Sequence, residues 1–341
     1  SRNSYAFFVD LEADVTDNWL MNVAVRYENF SDFGDTLNWK VATRYEVLDG
    51  FAFRGSVGTG FRAPTPGQIS TTNISTRIAP DGNPVAEGIF PASNPVSAFF
   101  GATELTPEES FQYTAGITLD LFDGLNVTVD YYNIELTDRI ALSSDFEVGM
   151  DAQMALGDLV TGIAQVSFFT NGIDTTTRGI DIVATYAFET SLGDTSLTGS
   201  MNYNQTDFDR VGSVGGNLLF NDETQADNAE GIPNLRAVVT AQQGIGDFNL
   251  LTRINYFGTY QQFDGNNAPL TRQDFSPEVM VDLELSYRYQ DQFTLAFGGQ
   301  NIFDNFPDPA EFEECCGRIY DSGSVVPWQG GFWYVRLQAD F

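Results

Sequence analysis

The sequence predicts an all-β protein whose strands form a transmembrane antiparallel β-barrel. Three observations predict it. Apolar and polar residues alternate at period two along about thirteen segments, connectors alternate between very short and long, and aromatic side chains gather at segment ends. Successive side chains of a strand point to opposite faces, so each such segment has one apolar and one polar face.

The segments lie near 4–14, 19–29, 36–46, 51–61, 110–120, 125–136, 176–188, 196–206, 234–243, 248–258, 278–289, 292–302 and 330–341. In one of them Phe111, Tyr113, Ala115, Ile117, Leu119 and Leu121 alternate with Gln112, Thr114, Gly116, Thr118 and Asp120. In another Val279, Val281, Leu283, Leu285, Tyr287 and Tyr289 alternate with Met280, Asp282, Glu284, Ser286 and Arg288. A length of about eleven residues matches the roughly 9–11 that cross a bilayer at a tilt.

Short connectors fall at Thr16–Asn18, Val47–Gly50, Phe122–Gly124, Gly244–Asp247 and Gln290–Asp291, where Asp, Asn and Gly suit tight hairpins. Long ones fall at 62–109, 138–175, 207–233, 259–277 and 303–329; only the loop at 30–35 is shorter than the pattern requires. Short turns on one side and long loops on the other are the signature of an outer-membrane barrel. Tyr5, Trp19, Phe51, Phe61, Phe111, Phe248, Tyr289, Phe293 and Phe341 stand where interfacial girdles sit. A soluble sandwich or propeller also alternates, but connectors of two to forty-eight residues and the lack of a recurring motif argue against it.

Composition removes several functions. The chain has 341 residues, no histidine, and 16 Lys plus Arg against 47 Asp plus Glu, for a net charge of −31. Without imidazole there is no His-based triad, general base or metal ligand. So much negative charge repels nucleic-acid backbones. The longest apolar run, Tyr5–Val9, is far too short for a membrane-spanning helix. The opening residues have no basic and apolar stretch of a signal peptide. No phosphate cradle, activated nucleophile or paired carboxylates stand out, so neither an enzyme nor a cofactor or metal site is expected.

A series of motifs then carries a resemblance. Gly60-Phe61-Arg62-Ala63-Pro64 opens the longest loop, and Thr106-Pro107-Glu108-Glu109-Ser110 with Tyr113 and Gly116 starts the next segment. Asp130-Tyr131-Tyr132-Asn133-Ile134, Asp138-Arg139-Ile140, Arg178-Gly179-Ile180-Asp181, Asn301-Ile302-Phe303-Asp304-Asn305 and a terminal Phe341 follow. In this order they resemble the C-terminal part of the barrel of TonB-dependent outer-membrane receptors, across nearly the whole chain. The resemblance implies a 22-stranded barrel closed by an N-terminal plug that touches the TonB complex. Residues 1–341 are then a single domain fragment holding about thirteen C-terminal strands, with the plug and first strands absent. It further implies a Gram-negative outer membrane, contact with lipid and lipopolysaccharide, recognition of Phe341 by the barrel-assembly machinery, and uptake of an extracellular small solute. A ferric siderophore is the default solute; a passive porin-type channel is the alternative.

The resemblance also points to plug contacts. Family barrels hold the plug with two inward glutamates, one in a Tyr-Glu-x-Gly run and one in a Gly-x-Glu run. Here Thr114 replaces the first acid and Asp181 shortens the second. Among Arg26, Lys40, Arg44 and Arg54, all on polar faces, Arg44 and Arg54 are plug-contact candidates, with pairing to barrel carboxylates as the other reading. Arg62, Tyr260 and Trp328 are ligand-facing candidates. Arg62 also reads as a plain strand end before Pro64, which lacks an N–H. The haem-receptor reading of Phe61–Pro64 fails for want of a loop histidine. Cys315 and Cys316, in the last long loop, are disulfide candidates, with each other or with the missing half.

Overall fold

The alternating segments pair into one open antiparallel sheet of thirteen strands, each bonded to its neighbours in sequence. The computed structural model describes residues 2–339 except 79–83, 215–216, 265–268, 291, 312–318 and 322–323. The wall strands are β1 (Ser4–Thr16), β2 (Trp19–Phe30), β3 (Gly34–Leu48), β4 (Phe51–Arg62), β5 (Glu108–Phe122), β6 (Leu125–Leu142) and β7 (Phe169–Thr190). They continue with β8 (Gly193–Val211), β9 (Leu235–Ile245), β10 (Phe248–Phe257), β11 (Glu278–Tyr289), β12 (Phe293–Gln300) and β13 (Phe332–Ala339). All thirteen fall where the alternation placed them. Strands β6, β7 and β8 run well past the expected ends, because their upper parts keep pairing through bulges at Asn171–Thr175.

Hairpins at Asp49–Gly50 and Asp123–Gly124 close one end of the wall. Gly124 has φ +84°, and a Cβ there would strike the carbonyl of Ala187 on β7, so only glycine suits this turn. Its own carbonyl accepts the Ala187 N–H at 2.9 Å, which ties the hairpin to the strand beside it.

Register divides the wall into two faces. Leu11, Val23, Val41, Val57 and Tyr113 share one lateral row, each paired with the next. This apolar face is uncovered: Phe7 and Leu337 are 69% and 70% exposed. The opposite face carries Arg26, Lys40, Arg44, Arg54, Asp130 and Asp181, so lipid suits the first face and an aqueous lumen the second.

Glycines in this wall let side chains reach across a strand. Arg54 on β4 grips Asp130 on β6 over Gly116 of β5, where a Cβ would collide with the carboxylate. Tyr132 on β6 lies over Gly179 of β7 and its hydroxyl accepts from Asn202 Nδ2 on β8 at 3.0 Å. Tyr334 on β13 lies over Gly298 of β12 and donates to Glu284 on β11 at 2.6 Å. Each glycine is the middle strand's missing side chain.

The packed cores lie mainly above the wall, in the long connections. Strands 73–78 and 84–89 of the β4–β5 connection join 163–167 and 146–147 of the β6–β7 connection in a four-stranded sheet. Short helices α1 (Pro66–Ser70), α2 (Pro95–Phe99) and α3 (Met150–Leu156) accompany it, and Phe90, Val96, Ala152, Val160 and Val166 form its core. A second core joins Phe168 and Ile173 to Leu219 and Phe220, with Phe146 stacked on Phe168 at 5.4 Å. Helix α4 (Asp222–Glu230) and the paired strands Tyr260–Asp264 and Thr271–Phe275 complete the layer. The sequence reading missed these helices. Three of the four begin at a local signal within a polar loop, the Thr65–Gln68 capping box and the Asn94 and Asn221 caps, whereas α3 starts at Gly149 with no side-chain cap.

Candidate functional site

The polar face gathers the plug-contact candidates onto two neighbouring rows. One row runs Arg44, Arg54, Gly116, Asp130, Asp181, Asn202 and Arg236, each paired with the next across β3 to β9. The row above it contains Ser56, Thr114, Tyr132, Gly179 and Asn204. Sequence spacing gave the face; strand stagger, invisible in it, gave the row.

Charges along the first row are unevenly satisfied. Arg44 bonds Glu46 on its own strand at 3.0 Å, and Arg26 bonds Glu28 likewise at 2.8 Å. Both pairs run along one strand, each closing on a barrel carboxylate two residues away. Arg54 gives both arms of its guanidinium to Asp130. Such a two-armed pair is stronger than a single contact and fixes direction. Asp181, directly beside Asp130, instead accepts a hydrogen bond from Asn202 Nδ2 at 2.7 Å. The carboxylate beside it has therefore taken the nearest cation, and Asp181 meets a neutral amide. Arg236 ends the row with its guanidinium 4.7 Å from the Phe257 ring centroid. Thr114 is held by Ser56, hydroxyl to hydroxyl, at 2.9 Å.

The ligand-facing candidates separate. Arg62 is gripped at 2.5 Å by both carboxylate oxygens of Glu108, which is 6% exposed and also accepts the Ile140 N–H. Its first task is therefore to lock β4 to β5 at the upper rim, although the guanidinium keeps an open edge. Tyr260 is a correction. It is 3% exposed, stacks on Phe275 at 4.4 Å, and its hydroxyl lies 3.0 Å from Ser324 Oγ, so it is a loop-core residue and not a surface for solute. Trp328 is half exposed in the last connection. Cys315, Cys316 and Phe341 lie outside the described residues.

The remaining motifs are rim stitches. The Thr106 backbone exchanges two hydrogen bonds of 2.9 Å with the Asn171 side chain. Asp138, at φ +53°, donates its N–H to Asp174, and Arg210 bridges both carboxylates. Asn301 and Asp304, also left-handed, form a turn in which Asn301 exchanges bonds with Asn305 and Asp304 accepts the Gly331 N–H. Side-chain amides and carboxylates stand in for lost ladder bonds wherever a long strand ends.

An acidic seam lies in the loop layer, outside the membrane span. Burial, then the charges of Asp227 and Asp264, push the Glu223 carboxyl above its ordinary range. Burial, with Asp321 nearby, does the same to Asp227 even though it accepts the Phe263 N–H at 3.0 Å. Among the described residues no group of three or more acidic or cysteine side chains is arranged to hold a metal ion.

Comparison with known proteins agrees with this architecture. A family model described as TonB dependent receptor-like, beta-barrel, matches residues 1–302. The siderophore receptor PirA from Pseudomonas aeruginosa is similar over all of this chain and 48% of its own, with 13% identity and a TM-score of 0.67. A mutant of the ferric enterobactin receptor PfeA from the same organism gives 15% identity over 45% of its length, with a TM-score of 0.69. PirA from Acinetobacter baumannii gives 13% identity, 46% of its length and a TM-score of 0.66. At such identities the likeness is one of fold. The chain spans about half the length of these receptors.

Proposed function

The chain belongs to the TonB-dependent receptor β-barrel family, and from that premise we propose that it forms part of the wall and extracellular loops of an active-uptake receptor in a Gram-negative outer membrane, serving a ferric siderophore. The observation that carries this reading is the family match over residues 1–302, on a wall with one apolar face and one polar face under a folded loop layer. The structural relatives named as siderophore receptors support the solute class.

In this reading the loops capture the solute, with Trp328 and the open edge of Arg62 as contacts. TonB then acts on a plug seated against the polar face. Asp181 meets a plug cation there, because its barrel partner is the Asn202 amide while Arg54 serves Asp130. Thr114 contributes only a neutral contact. Phe341 serves assembly, and Cys315 and Cys316 are disulfide candidates, with each other or with another part of the receptor. The passive-channel alternative has no observation in its favour.

The test uses the full-length gene. Its deletion should abolish growth on one ferric siderophore under iron limitation, and uptake should require TonB. Uptake that persists without TonB would instead identify a passive channel. Asp181→Asn should lower uptake and raise antibiotic leakage at normal protein level.

A further inference from the structure

We propose that the apolar face between β3 and β7 carries a binding site for one phosphate-bearing lipid of the outer leaflet, with its phosphate on Arg178 and an acyl chain in the groove below. The inference rests on the membrane placement of this wall and not on the solute proposed for it.

The groove comes from missing side chains. Gly55 on β4 faces Ala115 on β5, and this pair is the floor of an apolar hollow of about 570 Å³. Phe53, Ile117, Tyr131 and Ile180 stand around it. Aromatic and branched side chains flank this floor, so a chain lying here gains contact on its sides as well as beneath.

Strand stagger sets the groove's direction. At the β7 end, Ile180 is about ten residues from the hairpin at Thr190; at the β3 end, Thr43 is about five from the hairpin at Leu48. The hollow therefore descends from the extracellular side of the membrane toward the periplasmic turns, as an acyl chain does.

At its upper end stands Arg178, one same-face step beyond Ile180 and paired across the sheet with Asn133 and Gln205. Wherever wall register is unbroken among the described residues, Arg178 is the only Lys or Arg on the apolar face. All the others there, from Arg26 to Arg336, share the polar face. Among the described residues no carboxylate forms an ion pair with Arg178. The nearest acid along β6, Glu135, accepts from Asn133 Nδ2 at 3.3 Å. Tyr113 and Tyr131, with ring centroids 6.3 Å apart, mark the interface level beside it. On the other side Asp207 accepts from Gln205 Nε2 at 3.1 Å, so both neighbouring acids are met by amides and the exposed guanidinium at headgroup depth is left to a phosphate.

The experiment uses the full-length receptor, purified from outer membranes in mild detergent and examined by native mass spectrometry with added lipid A. Heat-modifiable migration first verifies that each variant is an assembled barrel, which tests the membrane reading separately. The wild type should hold one lipid A, and excess inorganic phosphate should not displace it. Arg178→Gln should weaken binding by about tenfold, the scale of one charge-assisted contact, and Arg178→Lys should keep part of it. Ala115→Leu, which fills the floor, should weaken lipid A by a similar factor with Arg178 intact; Ala115→Val replaces it should the larger residue block assembly. Equal binding by all variants would overturn the proposal. So would displacement by free phosphate, or a loss with Arg178→Gln that groove filling does not reproduce, since either reduces the site to a bare charge.

Discussion

The wall and the loop layer of this molecule keep their apolar residues in opposite places. In the wall, Phe7, Leu285, Phe297 and Leu337 are exposed, while charged residues such as Arg54 and Asp130 sit on the other face. In the loop layer, Phe168, Phe220, Phe275 and Val166 are almost fully buried, and polar residues cover them. One chain thus follows two solvents. The wall needs no apolar interior because lipid supplies one, and the backbone polar groups of its inner strands are met within the sheet. The loops stand in water and must build cores of their own.

That contrast can be broken first at the loop cores. Phe220→Ala should cost the loop layer roughly 3–5 kcal/mol, the usual penalty for emptying a buried aromatic site. Hydrogen exchange should rise across residues 143–173 and 217–230 while the wall strands stay protected. Equal loss of protection in the wall would mean that the two regions are one cooperative unit.

The next largest effect belongs to the wall. Leu285→Arg, at the lipid-facing level, should cost about 2–4 kcal/mol in folding into bilayers, and Thr128→Arg on the polar face far less. Refolding titrations in lipid vesicles measure both. A third test sharpens the role of glycine in the wall. Gly116→Ala should cost roughly 1–3 kcal/mol, because its methyl group displaces the Asp130 carboxylate from Arg54. The same substitution at Gly199, where nothing lies near a Cβ, should be close to neutral.

The smallest effect is pH-dependent and confined to the loops. Glu223 and Asp227 have folded-state carboxyl groups that hold protons more tightly than free ones do. Their contribution is fully present below the unfolded carboxylate range and is lost as pH rises through the raised folded values. Protection of helix α4 should therefore increase on acidification from neutral pH toward the ordinary carboxylate range. Unchanged or falling protection would contradict the strained seam.

The wall was legible because period-two alternation and turn residues are local signals. All thirteen strands and the polar side of Asp181 and Thr114 follow from it. What was not legible is lateral. The Arg54–Asp130 pair joins residues separated by 76 positions and depends on stagger and on a glycine between them. Arg44 and Arg26 look equally available in sequence, yet each closes on a glutamate two residues along its own strand. Tyr260 looked like a loop aromatic open to solute. Its burial comes from Phe275, its partner on the next loop strand, and from Val326, which a distant part of the chain brings to it.

The most direct test of the two-solvent account is a solvent map of consecutive wall positions in the full-length receptor. Single cysteines at 127 to 132, with Cys315 and Cys316 replaced by serine, would carry a spin label in bilayers. The account predicts strict alternation: oxygen-accessible, lipid-exposed labels at Val127, Val129 and Tyr131, and lipid-shielded labels at Thr128, Asp130 and Tyr132. Labels of both parities with the same accessibility would contradict it.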